Sequence, residues 1–192
     1  SSPSTPSAPA PELPVTLLVI ARNEAAVIGR CLDSVPFAAE KLVVDAGSSD
    51  ATCDIARGCG ATVTATTDWP GFGVQKNRAL AQARGRWVLS IDADERVSPG
   101  LAAEIRAAVA PGKAGGAAGY ELERLSSFCG QWMRHGDWYP DRVLRLFRRD
   151  AGRFTDDLVH ESVRVDGPVA RLRGDLLHET MTDLDDALAK LN

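Results

Sequence analysis

The sequence predicts an α/β protein with an open, mostly parallel sheet, helices on both of its faces and an antiparallel C-terminal extension. Apolar runs typical of buried strands alternate with segments of helical periodicity through the first half of the chain. Clusters of polar residues follow several of these strands, at the sheet edge where parallel sheets bind ligands. The 192 residues are 44% hydrophobic and 25% charged, which is typical of a soluble globular protein.

The first strand and helix are predicted by "VTLLVIA" (15–21) and "RNEAAVIGRCLDSV" (22–35). A continuous β-branched apolar run suits a strand that is buried on both faces. The segment that follows has apolar residues at helical spacing, and Asn23 is its expected N-cap. "KLVVDAG" (41–47) predicts a second strand, followed by a short helix with Ser48 or Ser49 as cap and Gly60 as terminator.

Two further strand–helix pairs complete the predicted parallel sheet. "ATVTATT" (61–67) and "RWVLSID" (86–92) are typical of strands, and "GVQKNRALAQARG" (73–85) is typical of a helix. "SPGLAAEIRAAVA" (98–110) predicts the last helix, with Ser98 as cap and Pro99 at the first helical position. This alternating order indicates parallel strands joined by helical crossovers.

The pattern changes after residue 112, where "PGKAGGAAG" predicts a flexible connector. "YELERLSSF", "RVLRLFRR", "ESVRVDG" and "VARLRGDLLHE" alternate or run short, which is typical of antiparallel strands. We expect one domain over residues 14–181, made of halves 14–111 and 112–181. Residues 1–13 are expected to be a disordered tail without the layout of a signal peptide, and residues 182–192 the start of a truncated helix.

Several protein classes are disfavoured by the composition and by missing motifs. The net charge of −4 gives no sign of a nucleic-acid partner, and no apolar run approaches the ~18 residues of a membrane span. The chain has no GxGxxG after the first strand and no GxxxxGK[ST], which argues against a dinucleotide dehydrogenase and a P-loop NTPase. The four cysteines form no CxxC pair and are expected to be reduced, packed thiols.

Carboxylates follow three of the predicted parallel strands, in "ARNE" (21–24), "DAGSSD" (45–50) and "DADE" (92–95). One such cluster alone would be read as a helix cap or surface turn, but three at one edge favour a binding site. Asp92 and Asp94 are one residue apart at a strand end and could approach one divalent cation, since Mg²⁺ and Mn²⁺ prefer oxygen ligands. Lys76, Arg22, Arg142 and Arg145 could neutralise phosphates there.

"LLVIARNEAAVIGRCLDSV", "VVDAGSSDAT", "FGVQKNRAL" and "WVLSIDADERVSP" resemble, in order and spacing, the family 2 glycosyltransferases of the GT-A fold, which is Rossmann-like. "HGDWYPDRVLRLFRR" and "VHESV" resemble the subgroup of lipopolysaccharide core β-1,4-glucosyltransferases. The resemblance covers residues 15–181. It implies an inverting transferase that uses a UDP-sugar, with glucose as the expected sugar, and Mg²⁺ or Mn²⁺ as cofactor.

The same resemblance implies roles for residues of the first half, which would be the nucleotide-binding half. Asp45 would hydrogen-bond the uracil, Lys76 would contact the nucleotide or diphosphate, and Asp92 would hold the ribose side. Asp94 would bind the metal. The residues expected to bind the nucleotide-sugar are Ala21, Arg22, Glu24, Asp45, Lys76 and Asp92.

The catalytic base is expected in the second, acceptor-binding half. Many family members carry a Glu-Asp pair after a Gly-x-Phe segment, whereas "GRFTDDLVHE" has His160 and Glu161 there. We expect Glu161 to be the base that takes the acceptor proton, with Asp141 as the second candidate. His160 is expected to bind the metal or position the diphosphate, a packed strand histidine being the alternative, and His178 is a weaker candidate.

Contacts with the acceptor are expected from Trp138 and Tyr139, which could stack on sugar faces or pack against the sheet. Arg145, in the basic run "RLFRR", could lie on a solvated strand face or meet a phosphorylated acceptor or an anionic membrane surface. The resemblance implies a glycan or lipid-linked acceptor and a cytoplasmic protein, with peripheral contact at the inner membrane. It leaves the oligomeric state open.

Two other functions are weighed against the transferase. A nucleotidyltransferase would need a Gly-rich basic loop after the first strand, which "ARNEAAVIG" does not supply. A non-catalytic sugar-binding protein would not need Asp45, Asp92, Asp94 and Glu161 together. Glu95, which completes the third acidic cluster, is expected to pair with Arg96 or another nearby base.

Overall fold

The computed structural model describes residues 13–66, 68, 70–112, 116–136, 139–155 and 162–180. The helices within these ranges are α1 (Ile28–Asp33), α2 (Thr52–Gly58), α3 (Phe72–Gln82) and α4 (Pro99–Val109). The strands are β1 (Leu13–Ala21), β2 (Ala38–Asp45), β3 (Thr62–Ala65), β4 (Trp87–Asp92), β5 (Glu95–Val97), β6 (Gly119–Phe128), β7 (Gln131–Trp132), β8 (Asp141–Arg148), β9 (Gly152–Phe154), β10 (Val163–Val165) and β11 (Val169–Thr180). Residues 1–12 and 181–192, which contain most of the two expected terminal segments, lie outside the described residues.

The first half forms the parallel sheet that the sequence predicts, in the order β3-β2-β1-β4. β1 is its central strand and is buried on both faces. Leu17 and Val19 belong to the core on one face, and Leu18 and Ile20 to the core on the other, as the two-residue period of a strand requires. The continuous apolar run 15–21 is therefore explained by burial between two layers.

The second half extends this sheet in the order β4-β8-β6-β11-β5, with β7 paired to β6. β8 is antiparallel to both of its neighbours, as predicted. β11 is parallel to β6, however, and not antiparallel as the alternating patterns indicated. The long connection through β7 to β10 makes this possible, because only a long crossover lets two strands of one sheet run in the same direction.

The sheet must curl between β4 and β5. Three residue steps separate Asp92 from Glu95, and a chain can span at most about 11 Å in that distance. Four strand spacings separate the two strands in the sheet order, and these would amount to about 19 Å in a flat sheet. The second half therefore bends round, so that β11 and β5 return to the carboxyl end of β4.

The predicted helix caps are confirmed in part. The Ser98 hydroxyl accepts a hydrogen bond from the Leu101 amide at 3.2 Å, and Pro99 is the first residue of α4. Asn23 does not cap α1, which begins only at Ile28, and Asn23 instead has a left-handed backbone with a φ of 54°. Ser48 and Ser49 do not cap α2 either, since Ala51 holds that position without a side-chain bond.

These polar residues join the two loops that follow β1 and β2. The Asn23 amide donates to the Ser48 hydroxyl at 2.9 Å, and the Ser49 amide donates to the Asn23 side-chain oxygen at 2.8 Å. The Glu24 amide donates to the Thr52 hydroxyl at 2.8 Å. Side chains that look like helix caps in the sequence thus hold the two strand-end loops against one another.

Glu40 joins β2, β1 and the connection before β4 at the opposite end of the sheet. Its carboxylate accepts from the Thr16 hydroxyl at 2.6 Å and from the Arg84 backbone amide at 2.9 Å. Burial by itself would raise the pKa of Glu40, but hydrogen bonds from Thr16 and Arg84 outweigh it and hold the pKa below its ordinary value of 4.5. The stability this gives is present above the unfolded-state pKa and is lost as the pH falls through the lower folded-state pKa.

We expect Glu40→Gln to lower the free energy of unfolding at pH 7 by about 1–2 kcal/mol, because a neutral amide replaces a charged acceptor. The deficit should shrink as the pH falls through the lowered folded-state pKa, since the wild-type carboxylate then becomes protonated as well. Urea denaturation at pH 7 and at successively lower pH values measures this. Asp54→Asn is the control, since the Asp54 side chain is 88% exposed and its loss should cost little. Equal urea midpoints for wild type and Glu40→Gln at pH 7 would contradict the assignment.

Candidate active site

A cavity of about 580 Å³, called the first cavity here, opens at the carboxyl ends of β1 and β4. Five of the six residues expected to bind the nucleotide-sugar line it, together with the expected metal ligand Asp94. The described lining residues are Ile20, Ala21, Arg22, Glu24, Ala46, Phe72, Lys76, Asp92, Ala93, Asp94, Arg124 and His178. The structure therefore brings together side chains that the sequence places at the ends of separate elements.

Asp45 does not line the first cavity, although its neighbour Ala46 does. Its carboxylate accepts hydrogen bonds from the Gly47 and Ser48 amides at 3.1 and 3.0 Å, and from the Ser48 hydroxyl. Burial opposes the charge, but these bonds outweigh it and hold the pKa of Asp45 below its ordinary value. Asp45 shapes the turn after β2, and its contact with uracil stays a prediction.

Lys76 and Asp92 form one wall of the first cavity. The Lys76 ammonium is held from α3 and is almost fully buried, with 4% of its side chain exposed, and its Nζ lies 3.7 Å from Asp92 Oδ1. The other carboxylate oxygen of Asp92 accepts from Arg145 Nη2 at 2.9 Å. An ammonium in so dry a position is electrostatically stronger than one in water, which suits it to a phosphate group.

Glu95 lies behind this wall with no exposed side-chain surface. Its Oε2 accepts from the Asp92 amide at 2.9 Å, and its Oε1 lies 3.0 Å from Arg145 Nη2 and 3.5 Å from Arg124 Nη1. Pairing with a nearby base is therefore confirmed, but the base is not Arg96, which pairs with Glu179 at 2.7 Å. We call Asp92, Glu95, Arg124 and Arg145 the charge cluster.

The two carboxylates of the charge cluster compete for one guanidinium. Burial raises the pKa of Glu95, and the negative charge of Asp92 adds to that, although Arg145 opposes both. Burial would also raise the pKa of Asp92, but the charges of Arg145 and Lys76 outweigh it and leave the pKa below its ordinary value. Asp92, which faces the first cavity, therefore keeps its negative charge at neutral pH.

A β-bulge supplies Arg145 to the cluster. Tyr120 and Glu121 of β6 are adjacent but pair with Leu146 and Leu144 of β8, so Arg145 is the extra residue between them. Such a bulge turns a side chain away from the direction that strict alternation would give it. The expectation of a solvated strand face is wrong for Arg145, whose side chain is 14% exposed, while Arg148 and its partner Asp150 do lie at the surface.

Asp94 contacts His178, which from the sequence is only a weak candidate for the site. His178 Nε2 lies 3.2 Å from Asp94 Oδ2, and its Nδ1 lies 3.1 Å from the Ser126 hydroxyl. β11 brings His178 there by pairing with β5, in a register that places His178 opposite Glu95. Asp94 and His178 are 84 positions apart in the chain, so only the curl of the sheet could reveal their contact. His160, the histidine expected to bind the metal, lies outside the described residues.

Asp94 fits Mg²⁺ or Mn²⁺ as an oxygen ligand, and His178 beside it adds a nitrogen ligand that suits a transition-metal ion such as Mn²⁺. The described residues contain no cluster of three or more metal-ligating side chains. Mg²⁺, however, is usually held through one or two carboxylates together with substrate phosphates and water, and imidazole is a further ligand for transition metals. The Ser126 hydroxyl fixes the His178 ring through its second nitrogen, as such outer partners of metal-binding histidines do.

Of the other residues expected to act in catalysis or acceptor binding, Asp141 and Tyr139 are engaged by neighbouring side chains. Asp141 Oδ2 accepts two hydrogen bonds from Arg124, at 2.8 and 2.6 Å. The Tyr139 hydroxyl lies 2.9 Å from Glu123 and 3.2 Å from Asp175, and burial together with these carboxylates raises its pKa to about 12. Tyr139 thus joins β6 to β11, which favours packing over sugar stacking. Glu161 and Trp138 lie outside the described residues.

A second cavity of about 510 Å³ adjoins the first and shares Lys76, Asp92 and Arg124 with it. Its described lining continues along the start of β8 and onto β9 and β10. The remaining lining residues are Arg142, Val143, Leu144, Arg145, Phe154, Ser162 and Val163. The wall between the two cavities is therefore made of charged side chains from α3, β4 and β6.

A parallel sheet with acidic strand ends, extended by a curled second half, is the fold that this chain shares with solved glycosyltransferase structures of the GT-A class. The chain belongs to glycosyl transferase family 2, whose family model matches residues 16–155. It is 31% identical over 188 residues to the lipopolysaccharide core biosynthesis glycosyltransferase LpsC of Rhizobium meliloti (strain 1021), covering 95% of this chain and 69% of LpsC. The chain is thus a glycosyltransferase, and of the functions weighed above the nucleotidyltransferase and the binding protein fall away.

Other proteins support the family and the fold. An uncharacterized glycosyltransferase of Rickettsia typhi is 30% identical over 188 residues, covering 93% of this chain and 64% of that protein. S. aureus TarS in complex with UDP-GlcNAc superposes with a TM-score of 0.61 at 16% identity, covering 87% of this chain and 58% of TarS. A glucosyl-3-phosphoglycerate synthase of Mycobacterium tuberculosis, in complex with Mn²⁺, UDP and glucosyl-3-phosphoglycerate, superposes with a TM-score of 0.57 at 19% identity. The match covers 92% of this chain and 75% of the synthase. The chain spans about two thirds of the length of its curated relatives.

We expect Glu95→Gln to lower the free energy of unfolding by about 2–3 kcal/mol, because it removes a buried carboxylate shared by two guanidinium groups and leaves Arg145 only Asp92 and Arg124 only Asp141 as charged partners. Denaturant unfolding followed by circular dichroism measures the loss. The matched control is Glu121→Gln, which removes a pair between half-exposed side chains, Glu121 and Arg171, and should cost at most about 1 kcal/mol. If the two variants lose the same stability, the buried ion pairs of Glu95 contribute no more to stability than the surface pair of Glu121 and Arg171.

Proposed function

We propose that this chain transfers a sugar from a UDP-sugar to a glycan or lipid-linked acceptor with inversion, assisted by a divalent metal ion. The observation that carries the proposal is the placement of Asp94 and His178 beside Lys76 and Asp92 in one cavity. This set offers ligands for a cation and a buried ammonium for a phosphate. Solved relatives of the same fold contain UDP, UDP-GlcNAc or Mn²⁺, which supports the choice of donor and metal.

The loops after β1 and β2 would hold the nucleoside. Arg22 and Glu24 line the first cavity from a loop whose backbone is fixed by side chains of the neighbouring loop. Asp92, kept negative by Arg145 and Lys76, can accept hydrogen bonds from ribose hydroxyls. Asp45 would accept from the uracil N3–H at the end of the adjacent strand.

Asp94 and His178 would hold Mg²⁺ or Mn²⁺ at the donor diphosphate. When bound, such an ion offsets the negative charge that develops on the departing UDP. Lys76 adds a fixed positive charge from the wall of the same cavity. Because the Lys76 side chain is almost fully buried, its ammonium can stabilise the leaving group with little solvent rearrangement.

Inversion requires a base on the acceptor side, opposite the leaving group. We propose Glu161 for that role, with the proton moving from the acceptor hydroxyl to its carboxylate as the new bond forms. Ser162, the next residue, lines the second cavity, which supports this choice. Asp141 is the alternative, and its Oδ2 is already engaged by two hydrogen bonds from Arg124.

The biological setting is proposed from the relatives and from the resemblance. LpsC is by name a lipopolysaccharide core glycosyltransferase, so a core glycan is the proposed acceptor and glucose the proposed sugar. A cytoplasmic enzyme in peripheral contact with the inner membrane would meet such an acceptor. No helix among the described residues is long and apolar enough to cross a membrane. A screen of nucleotide sugars, read by released UDP, tests the donor.

We expect His178→Gln to weaken Mn²⁺-dependent UDP binding by at least about tenfold, because it removes one of the two proposed protein ligands. Calorimetry with UDP, with and without Mn²⁺, measures the effect, and Asp94→Asn should behave alike. His135→Gln is the matched control, since His135 is exposed and lines neither cavity. UDP affinity in His178→Gln that responds to Mn²⁺ as in wild type would exclude His178 as a ligand.

We expect Glu161→Gln to retain UDP-sugar binding and to lower kcat by at least about 100-fold, because the amide cannot take the acceptor proton. Calorimetry measures donor binding, and UDP release in the presence of acceptor measures kcat. Asp141→Asn should retain far more activity. Transfer that survives in Glu161→Gln and fails in Asp141→Asn would assign the base to Asp141.

A further inference from the structure

The lining of the second cavity carries more positive charge than the binding of a neutral sugar requires. Of its ten described lining residues, four are Lys76, Arg124, Arg142 and Arg145, and only Asp92 is acidic. Neutral sugars are recognised by hydrogen bonds and apolar contact, which need no such surplus of cations. A lining of this kind attracts an anion and raises its local concentration.

The positive charges differ in how far they are already neutralised. Arg145 is held by Asp92 and Glu95, and Arg124 by Asp141 and Glu95. The Arg142 side chain, by contrast, is exposed and makes no hydrogen bond or ion pair with any residue that the structure describes. Among these cations, Arg142 is therefore the one whose guanidinium can direct all of its donors to a ligand.

The donor diphosphate does not account for this lining. Asp94 and His178, the proposed metal ligands, line the first cavity and not the second. Arg142 lines the second cavity and not the first. A diphosphate bound at Asp94 thus lies on the other side of the wall of Lys76, Asp92 and Arg124.

The geometry points to the second cavity as the place where an acceptor sugar binds through a phosphate group, with Arg142 as the main contact. A guanidinium binds phosphate oxygens through two parallel N–H donors, which makes arginine the suitable residue for this contact. Val143, Leu144 and Phe154 supply an apolar surface in the same cavity for the body of the sugar. The shared wall would bring that sugar next to the donor.

This inference rests on the proposed function, because it assigns a substrate class, a phosphorylated sugar, to the acceptor side of the same site. The test therefore keeps donor and acceptor binding apart. UDP and Mn²⁺ at saturating concentration occupy the donor side, and glucose 6-phosphate or glucose is then titrated as the acceptor probe. If UDP itself does not bind, the proposed function fails, and this result is seen before any acceptor probe is added.

We expect the wild-type complex with UDP and Mn²⁺ to bind glucose 6-phosphate at least about tenfold more tightly than glucose, since a charged hydrogen bond supplies the difference. Arg142→Gln should abolish this preference and leave UDP binding unchanged. Arg149→Gln is the matched control, because Arg149 is exposed just beyond the other end of β8 and lines neither cavity. The preference should also weaken at high salt.

Two outcomes would overturn the inference while leaving the donor site intact. One is equal binding of glucose and glucose 6-phosphate by the wild-type complex. The other is an equal loss in Arg142→Gln and Arg149→Gln, which would indicate only general attraction by surface charge. Vesicles of phosphatidylglycerol test whether the phosphate belongs to a lipid headgroup. If Arg142→Gln loses vesicle binding but keeps glucose 6-phosphate binding, the site is a lipid headgroup contact, and the acceptor assignment is overturned.

Discussion

The buried carboxylate of Glu95 is the interaction on which the rest of this structure depends. It accepts from the backbone of β4 and contacts guanidinium groups from β6 and β8, while its own strand β5 pairs with β11. One side chain thus connects the parallel half of the sheet to β6 and β8, and through its own strand to β11. Such a buried charge is stable only while its partners stay in place, so the curl and the charge cluster require one another.

The same cluster determines the electrostatics of both cavities. Arg145 shares its guanidinium between Glu95 and Asp92, and this keeps Asp92 negative beside the Lys76 ammonium. Arg124 reaches from Glu95 to Asp141, and so it links the donor side of the wall to the start of β8. A change at Glu95 is therefore expected to disturb donor and acceptor binding together, although Glu95 lines neither the first nor the second cavity.

The sequence supports prediction wherever a functional residue follows a strand whose burial pattern is plain. Asp92 and Asp94 come directly after a buried apolar run, and parallel strands necessarily bring their carboxyl ends to one edge. Lys76 was found because it lies near the start of a recognisable helix. His178 and Arg124 could not be placed in this way, since their positions depend on the pairing of β11 with β5 and β6, across long stretches of chain. Of the two readings of Arg145, the solvated strand face is wrong, because a bulge breaks the alternation from which a strand face is inferred.

The charges also explain why the site needs both halves of the chain. Asp92, Asp94 and Glu95 lie within four consecutive positions of the first half, and like charges so close together repel one another. The first half contributes Arg22 and Lys76 to the lining of the first cavity. The other positively charged or ring side chains next to these carboxylates, Arg124, Arg145 and His178, come from the second half. The carboxylates proposed to hold the donor are therefore neutralised fully only when the curled half is folded against them. We therefore expect the donor side and the acceptor side of the site to form together when the chain folds.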